Sequence, residues 1–350
     1  MNEKNMKAAV MTELRHVEIQ DRPVPTPAPH EVLVKIEYVG VCGSDLHYYE
    51  HGRIGDYIVE YPFVLGHEVG GRVVALGSEV KDLQVNDRVA LEPQITCGEC
   101  EFCKAGKYNL CRSVQFFATP PIDGVFQEYI NHPARLCFKL PENVSSLEGA
   151  LIEPLSVGLH AALEAKTSLG QTVAITGTGC IGLTALLATK ACGASEIMVS
   201  DLFDKRLLKA KELGADATIN SRETDAVQAM LAQTDGKGFD VGIETSGSEV
   251  AAGQLIQAAK PGATIVFVGY SGSGMMNLPM SVALDKELTF KTIFRYRNSY
   301  PVAIAAIASR KIDVSKIVSH SYDFANISQA LEDAIEKKDE VIKAVIKMPN

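Results

Sequence analysis

The stretch Val173–Leu183, VAITGTGCIGL, decides the fold. An apolar run ends at Gly177, and Gly177, Gly179 and Gly182 keep the spacing G-x-G-x-x-G. Glycines recur by chance, so the spacing alone is a weak signal. Its context strengthens it, because TVAIT (172–176) reads as a buried strand and CIGLTALLATKACGA (180–194) as a helix. A strand, a glycine turn and a helix place backbone N–H groups and the positive end of a helix dipole where a pyrophosphate can sit. Asp201 ends the next apolar run, EIMVSD, at the offset expected of an acid that binds a ribose 2′-hydroxyl. A carboxylate there repels a 2′-phosphate, so NAD is expected rather than NADP. A bare structural turn with a solvated Asp201 is the competing reading. Arg206 could stack on adenine, pair with Asp201 or be a surface charge.

Outward from this turn, DATIN, FDVGIET, ATIVFVG and LTFKTIF continue the strand series, and DKRLLKAKELGA adds a helix. Apolar strands alternating with amphipathic helices predict a parallel sheet covered on both faces, the doubly wound α/β class. Both helices close in glycine near their C-termini. Before about Ile152 the pattern differs. EVLVKIEYVGV and GGRVVALGSEV alternate apolar and polar residues between glycine and proline, and predict a mostly β domain. After about Arg295 a helix (VAIAAIAS) and a mixed tail follow, whose end, DEVIKAVIKM, is expected to return to the first domain as a strand.

The chain has 350 residues, 46% hydrophobic and 22% charged, with a net charge of −9, which suits two globular domains. The acidic balance speaks against nucleic acid as a partner. The longest apolar stretch, Thr172 to Ser200, is broken by glycines and Lys190, so no membrane span is expected. MNEKNMKAAV lacks an apolar signal core, and the chain reads as a soluble cytoplasmic protein.

Of eight cysteines, Cys97, Cys100, Cys103 and Cys111 fall in TCGECEFCKAGKYNLC. Four thiolates so close can wrap a tetrahedral zinc and leave no open position, which makes the site structural. An iron–sulfur cluster is the rival, and C-x-x-C redox chemistry a weaker one. Cys137, Cys180 and Cys192 read as core thiols. Cys42, in a glycine-flanked turn, together with His67 and Glu68 in FVLGHEVGG, offers a thiolate, an imidazole and a carboxylate. Three such ligands leave one zinc position open for an alcohol.

GHEVGGRVVALGSEV (66–80) resembles the signature of the zinc-containing medium-chain alcohol dehydrogenases. CGSDLHYYEHGRIGDYIVEYPFVLGHE, FFATPPIDG, ALIEPLSVG and FRYRNSYP resemble the sorbitol and xylitol dehydrogenase branch of that family. The resemblance spans nearly the whole chain. It implies a GroES-like catalytic domain over 1–154, completed by 296–350, and a Rossmann NAD-binding domain over 155–295. It implies two zinc ions per chain. Cys42, His67 and Glu68 would bind the catalytic one with a water. Glu153 would stand where simpler members carry a cysteine ligand, reaching the metal directly or through that water and touching the substrate. Cys97, Cys100, Cys103 and Cys111 would hold the structural zinc. Asp45 would support a ligand histidine, and Ser44 and His47 would relay the proton through the nicotinamide ribose. Tyr48, Phe116, Glu153, Arg295 and Tyr296 would line a polyol pocket. Besides the glycines, Asp201 and Arg206, the cofactor would touch Ile181, Val268, Gly269, Tyr270, Ile293, Phe294 and Arg295. A homotetramer is implied by resemblance alone.

The expected reaction is reversible oxidation of a secondary alcohol of sorbitol, xylitol or L-iditol to fructose, xylulose or sorbose with NAD. Rivals are a relative acting on threonine or a small diol, and a protein that binds NAD(H) without turnover. Two departures stand out. Asn86 replaces a usual glycine, and Asn is the next residue most tolerant of left-handed backbone. The cysteine lobe is complete, whereas the animal members of the branch have lost it.

Overall fold

The apolar runs flanking the glycine turn form one six-stranded parallel sheet. Its order is Ala217–Asn220, Glu196–Asp201, Thr172–Thr176, Phe239–Glu244, Ala259–Phe267 and Thr289–Thr292. In chain order this is 3-2-1-4-5-6, the Rossmann arrangement. The order reverses between Thr172–Thr176 and Phe239–Glu244, where such sheets open a crevice beyond the strand ends. The glycine turn begins at that edge. The helix Cys180–Ala191 is followed by Gly193 at φ +97°, and Asp204–Glu212 by Gly214 at φ +100°. Ala259–Phe267 starts earlier than its apolar run suggests, because Ala259 already pairs with Phe239 ahead of a register shift.

The computed structural model describes residues 5–349. Two compact units emerge: Met1–Glu153 with Tyr300–Arg310 and Val318–Asn350, and Pro154–Ser299 with Lys311–Ile317. The first holds a GroES-like domain. Its main sheet runs Cys137–Lys139, Arg88–Leu91, Glu68–Leu76, Glu31–Gly40, Ala344–Lys347 and His320–Asp323, with Tyr129–Pro133 also paired to Glu31–Gly40. Val34, Ile36, Val69, Val89, Leu91 and Ile346 supply its buried core. The tail returns as expected: Val345 pairs with Gly40 in antiparallel register, and Gly40 in turn pairs with Glu68.

Of the residues assigned from sequence to the first domain, Pro154 and the segments 296–299 and 311–317 cluster with the second unit. The turn Val314–Ile317 packs against the helix Cys180–Ala191, and Arg297 donates to Glu164 at 2.6 Å. Asn86 does adopt the left-handed conformation, at φ +75°. Cys137 is buried, but Cys180 and Cys192 are only half-buried, each at a helix terminus rather than in the core. Among the described residues no helix is long and apolar enough to cross a membrane.

Candidate functional site

Cys42 leaves the end of Glu31–Gly40 in an extended conformation (φ −100°, ψ 155°) and caps the helix Gly43–His51. Asp45, wholly buried in the first turn, accepts from the Cys42 N–H at 3.0 Å with one oxygen and from the Gly66 N–H at 2.8 Å with the other. One carboxylate thus pins the two turns that carry Cys42 and His67. Its Oδ1 also lies 3.6 Å from His67 Nδ1. Burial opposes a charge on His67, yet Asp45 and Cys42 beside it hold its pKa well above the ordinary value.

His67 and Glu68 are adjacent, and strand neighbours point to opposite faces. The chain avoids this conflict because the strand begins only at Glu68, and Gly66, at φ +91°, turns the backbone just before it. The Glu68 carboxylate then crosses Gly40, its cross-strand partner, where any Cβ would collide with Oε2. Ligand atoms of Cys42, His67 and Glu68 all lie within 4.8 Å of one another. Glu68 is 1% exposed. Its Oε1 accepts from Lys343 Nζ at 2.6 Å, and the same Nζ forms an ion pair with Oε2. A buried carboxylate and a buried imidazole that converge with a cysteine sulfur fit a zinc ion with an open fourth position. Glu153, 5% exposed in the first turn of the helix Ile152–Glu164, stands outside this group of three.

The four cysteines of the lobe also converge within 4.8 Å. Cys97 Sγ lies 3.5 Å from Cys111 Sγ and 3.9 Å from Cys103 Sγ. A tetrahedron of sulfurs about 2.3 Å from zinc has edges of about 3.8 Å, and a disulfide would need about 2.05 Å. The donor set therefore fits a closed structural zinc. Backbone N–H groups of Glu99 and Cys100 pull the Cys97 thiol down to about 6, and burial pushes Cys103 up to about 11.

In the second unit, Gly177 has φ +84°, and a Cβ on Gly182 would collide with the Gly177 carbonyl. Gly179 caps the helix Cys180–Ala191, and Ile181 is half-buried in its first turn. Asp201 is more heavily engaged than the sequence suggests. Its Oδ2 accepts from Thr178 N at 2.6 Å and Thr178 Oγ1 at 2.9 Å, and its Oδ1 from Leu202 N and Phe203 N at 2.7 and 3.1 Å. Arg206 lies 5.3 Å over the Phe203 ring, with Nη1 3.7 Å from where a Gly179 Cβ would be. The guanidinium thus overhangs the glycine turn. Val268 and Gly269 donate to the Glu244 carbonyl at 2.8 and 3.2 Å, Tyr270 is 76% exposed, and Ile293 donates to Phe267 at 3.2 Å. Arg295, at φ +54°, covers the Phe294 ring at 4.7 Å.

Of the remaining candidates, Ser44 is half-buried and His47 exposed on the Cys42-capped helix, while Tyr48 is buried. Phe116 lies 5.4 Å from the His67 ring, so it borders the metal site directly. Tyr296 is wholly buried in the second unit. Three residues that sequence reading missed shape these sites: Lys343, Thr178 and Glu244. Wholly buried Glu244 accepts from Ser246 N at 2.7 Å and Gly247 N at 3.1 Å, and so fixes the loop beside Gly177. A threonine inside the glycine fingerprint, whose hydroxyl can reach the following strand's acid, is the only signal that pointed to Thr178.

Residues 28–142 match the family described as alcohol dehydrogenase GroES-like domain, and residues 180–309 match zinc-binding dehydrogenase. The chain is 45% identical to sorbitol dehydrogenase of Bacillus subtilis (strain 168) over 343 residues, 98% of this chain and 97% of that one. Among solved structures it resembles ECK1772 of Escherichia coli, an oxidoreductase/dehydrogenase of unknown specificity involved in membrane biogenesis. That match has a TM-score of 0.95 and 40% identity, covering 99% of this chain and 100% of that one. The short chain alcohol dehydrogenase rspB of Escherichia coli CFT073, complexed with NADH, matches with a TM-score of 0.91 and 30% identity, covering 98% and 99%. A metal-type triad, a closed cysteine lobe and a Rossmann glycine turn on one chain agree with these likenesses, and the chain belongs to the zinc-dependent medium-chain alcohol dehydrogenases, the oxidoreductase family that includes the sorbitol dehydrogenases.

Proposed function

We propose that the protein reversibly oxidises a secondary hydroxyl of a polyol such as sorbitol, xylitol or L-iditol to the ketose, with NAD. The observation that carries this reading is the convergence of Cys42, His67 and Glu68, whose ligand atoms all lie within 4.8 Å of one another. It occurs in a chain whose second unit carries a dinucleotide turn followed by Asp201. When bound, zinc supplies Lewis acidity to an alcohol hydroxyl and NAD accepts the hydride. The chain's own residues do the rest. Cys42, His67 and Glu68 hold the metal, and Asp45 keeps the first two in register. Glu153 takes up the hydroxyl proton, directly or through water, with Ser44 and His47 as the alternative route. Tyr48 and Phe116 give the carbon chain its apolar wall. Asp201 accepts from the adenosine ribose and disfavours a 2′-phosphate. Cys97, Cys100, Cys103 and Cys111 hold a second zinc that takes no part in the chemistry.

The test is an absorbance assay for NADH with sorbitol, xylitol, L-iditol, threonine and a vicinal diol, run on the wild type and on Cys42→Ala. Turnover of a polyol well above that of threonine and the diol, lost in Cys42→Ala together with one of two zinc ions, is the expected result. Preference for threonine or the diol would move the substrate class. Full activity in a Cys42→Ala protein lacking that zinc would overturn the mechanism.

A further inference from the structure

Lys343 is the one buried lysine among the described residues, at 1% exposure. Its ammonium donates to Glu68 Oε1 at 2.6 Å and to the Val41 carbonyl at 2.9 Å, and lies against Glu68 Oε2 as well. Val41 directly precedes Cys42, so this cation sits against the carbonyl just before one ligand and against the carboxylate of another. The tail lysines differ sharply: Lys347, at the far end of the strand Ala344–Lys347, is exposed. Val345, Gly40 and Glu68 lie in line across three strands, and the absent Gly40 side chain is what lets Glu68 reach Lys343.

A carboxylate this deeply buried is strongly destabilising without a counter-charge. A metal ion would supply one. Lys343 supplies one whether or not metal is present. With metal held by the Cys42 thiolate and Glu68, ligand charge and ion charge cancel, and Lys343 remains as an extra positive charge that repels the ion and shares its carboxylate. Resting on the reading of Cys42, His67 and Glu68 as the catalytic metal site, we infer that Lys343 is a resident counter-ion that stands in for the metal at Glu68. It keeps the metal-free chain folded and at the same time loosens the chain's hold on the ion.

Lys343→Met and Lys343→Arg proteins test this, each measured zinc-loaded and zinc-free. Two readouts are needed: the thermal midpoint of the zinc-free protein, and the rate at which each zinc passes to a coloured chelator. The cysteine-lobe zinc serves as an internal reference. Zinc-free Lys343→Met should melt about 5–10 °C below the zinc-free wild type. Its non-lobe zinc should leave about tenfold more slowly than in the wild type. Lys343→Arg should resemble the wild type in both respects. A zinc-free midpoint that does not move, or faster release from Lys343→Met, overturns the inference. If Lys343→Met does not fold at all, Lys343→Met combined with Glu68→Gln decides. Recovery of a folded zinc-free protein supports the counter-ion role, and failure to recover assigns the loss to packing and overturns it. A wild type that binds only one zinc would sink the underlying metal-site reading instead, a result distinct from all of these.

Discussion

Asp45 shows how one side chain can set a site it does not join. Its two oxygens accept from the backbone of Cys42 and of Gly66, the residues that aim a thiol and an imidazole at one point. Asp45→Asn keeps the size but puts an amide where one of those N–H groups must donate. The expected outcome is a zinc affinity about 10–100-fold weaker at the Cys42 site, read as zinc content after dialysis, with the lobe zinc retained. The convergence of Cys42, His67 and Glu68 is foreshadowed in the sequence, because a cysteine in a glycine turn and a His-Glu pair amid apolar residues are chemically conspicuous. Lys343 is not legible. EVIKAVIKM offers Lys343 and Lys347 on equal terms, and only the fold separates them, burying Lys343 against Glu68 and the Val41 carbonyl and leaving Lys347 exposed. Thr178 is hidden for a similar reason, since its acceptor, Asp201, comes from the neighbouring strand.

Among the elements, the strand–turn–helix beginning at Thr172 is the most self-explanatory. Apolar residues fill both faces of a buried strand, and the glycines have a steric reason that can be named. A Cβ on Gly182 meets the Gly177 carbonyl, so Gly182→Ala must open the turn to which the proposed function assigns the pyrophosphate. NAD binding, followed by quenching or calorimetry, should weaken at least about tenfold. Zinc content should stay the same, because both candidate metal sites lie in the other unit. The cysteine lobe is legible as chemistry but not as attachment. Its Tyr108 hydroxyl donates to Glu92 Oε1 at 2.9 Å, the oxygen that also takes the Gln94 amide at 2.9 Å. Burial raises the Glu92 pKa, with those two donors opposing it. Nothing in EPQIT distinguishes this anchoring glutamate from a surface one.

For the molecule as a whole, acid is the condition both units share as a weakness. His132 in the first unit and His160 in the second are each lowered from 6.5 to about 4. Burial is the main cause in both, with Arg135 and Arg297 adding to it respectively. Between about pH 6.5 and about 4 the unfolded chain takes up protons that the folded chain refuses. Stability from this source is therefore complete above pH 6.5 and drains away as pH falls through 4. For wholly buried His132 the loss is on the order of 3 kcal/mol. Urea midpoints at pH 7 and pH 5 should fall in the wild type and fall less in His132→Asn. A slope with the opposite sign would contradict the burial of both rings as neutral groups. Unit boundaries were the least legible feature at this scale. The return of 311–317 to the second unit depends on a short turn packing on a distant helix, and no composition shift marks it.

The strand Ala344–Lys347 lies between Glu31–Gly40 and His320–Asp323 in the first unit's sheet. This has a consequence for the order in which a growing chain matures on the ribosome. All six strands of the second unit have been made once residue 292 emerges, whereas the first unit, though begun at the N-terminus, lacks a strand until residue 347 does. The dinucleotide domain is therefore poised to fold before the domain that precedes it. The cysteine lobe, with its four thiols between 97 and 111, can take metal while synthesis continues. The Cys42 site acquires Lys343, which immediately precedes that last strand, only at the very end, so Glu68 and its cation come together when the sheet is completed.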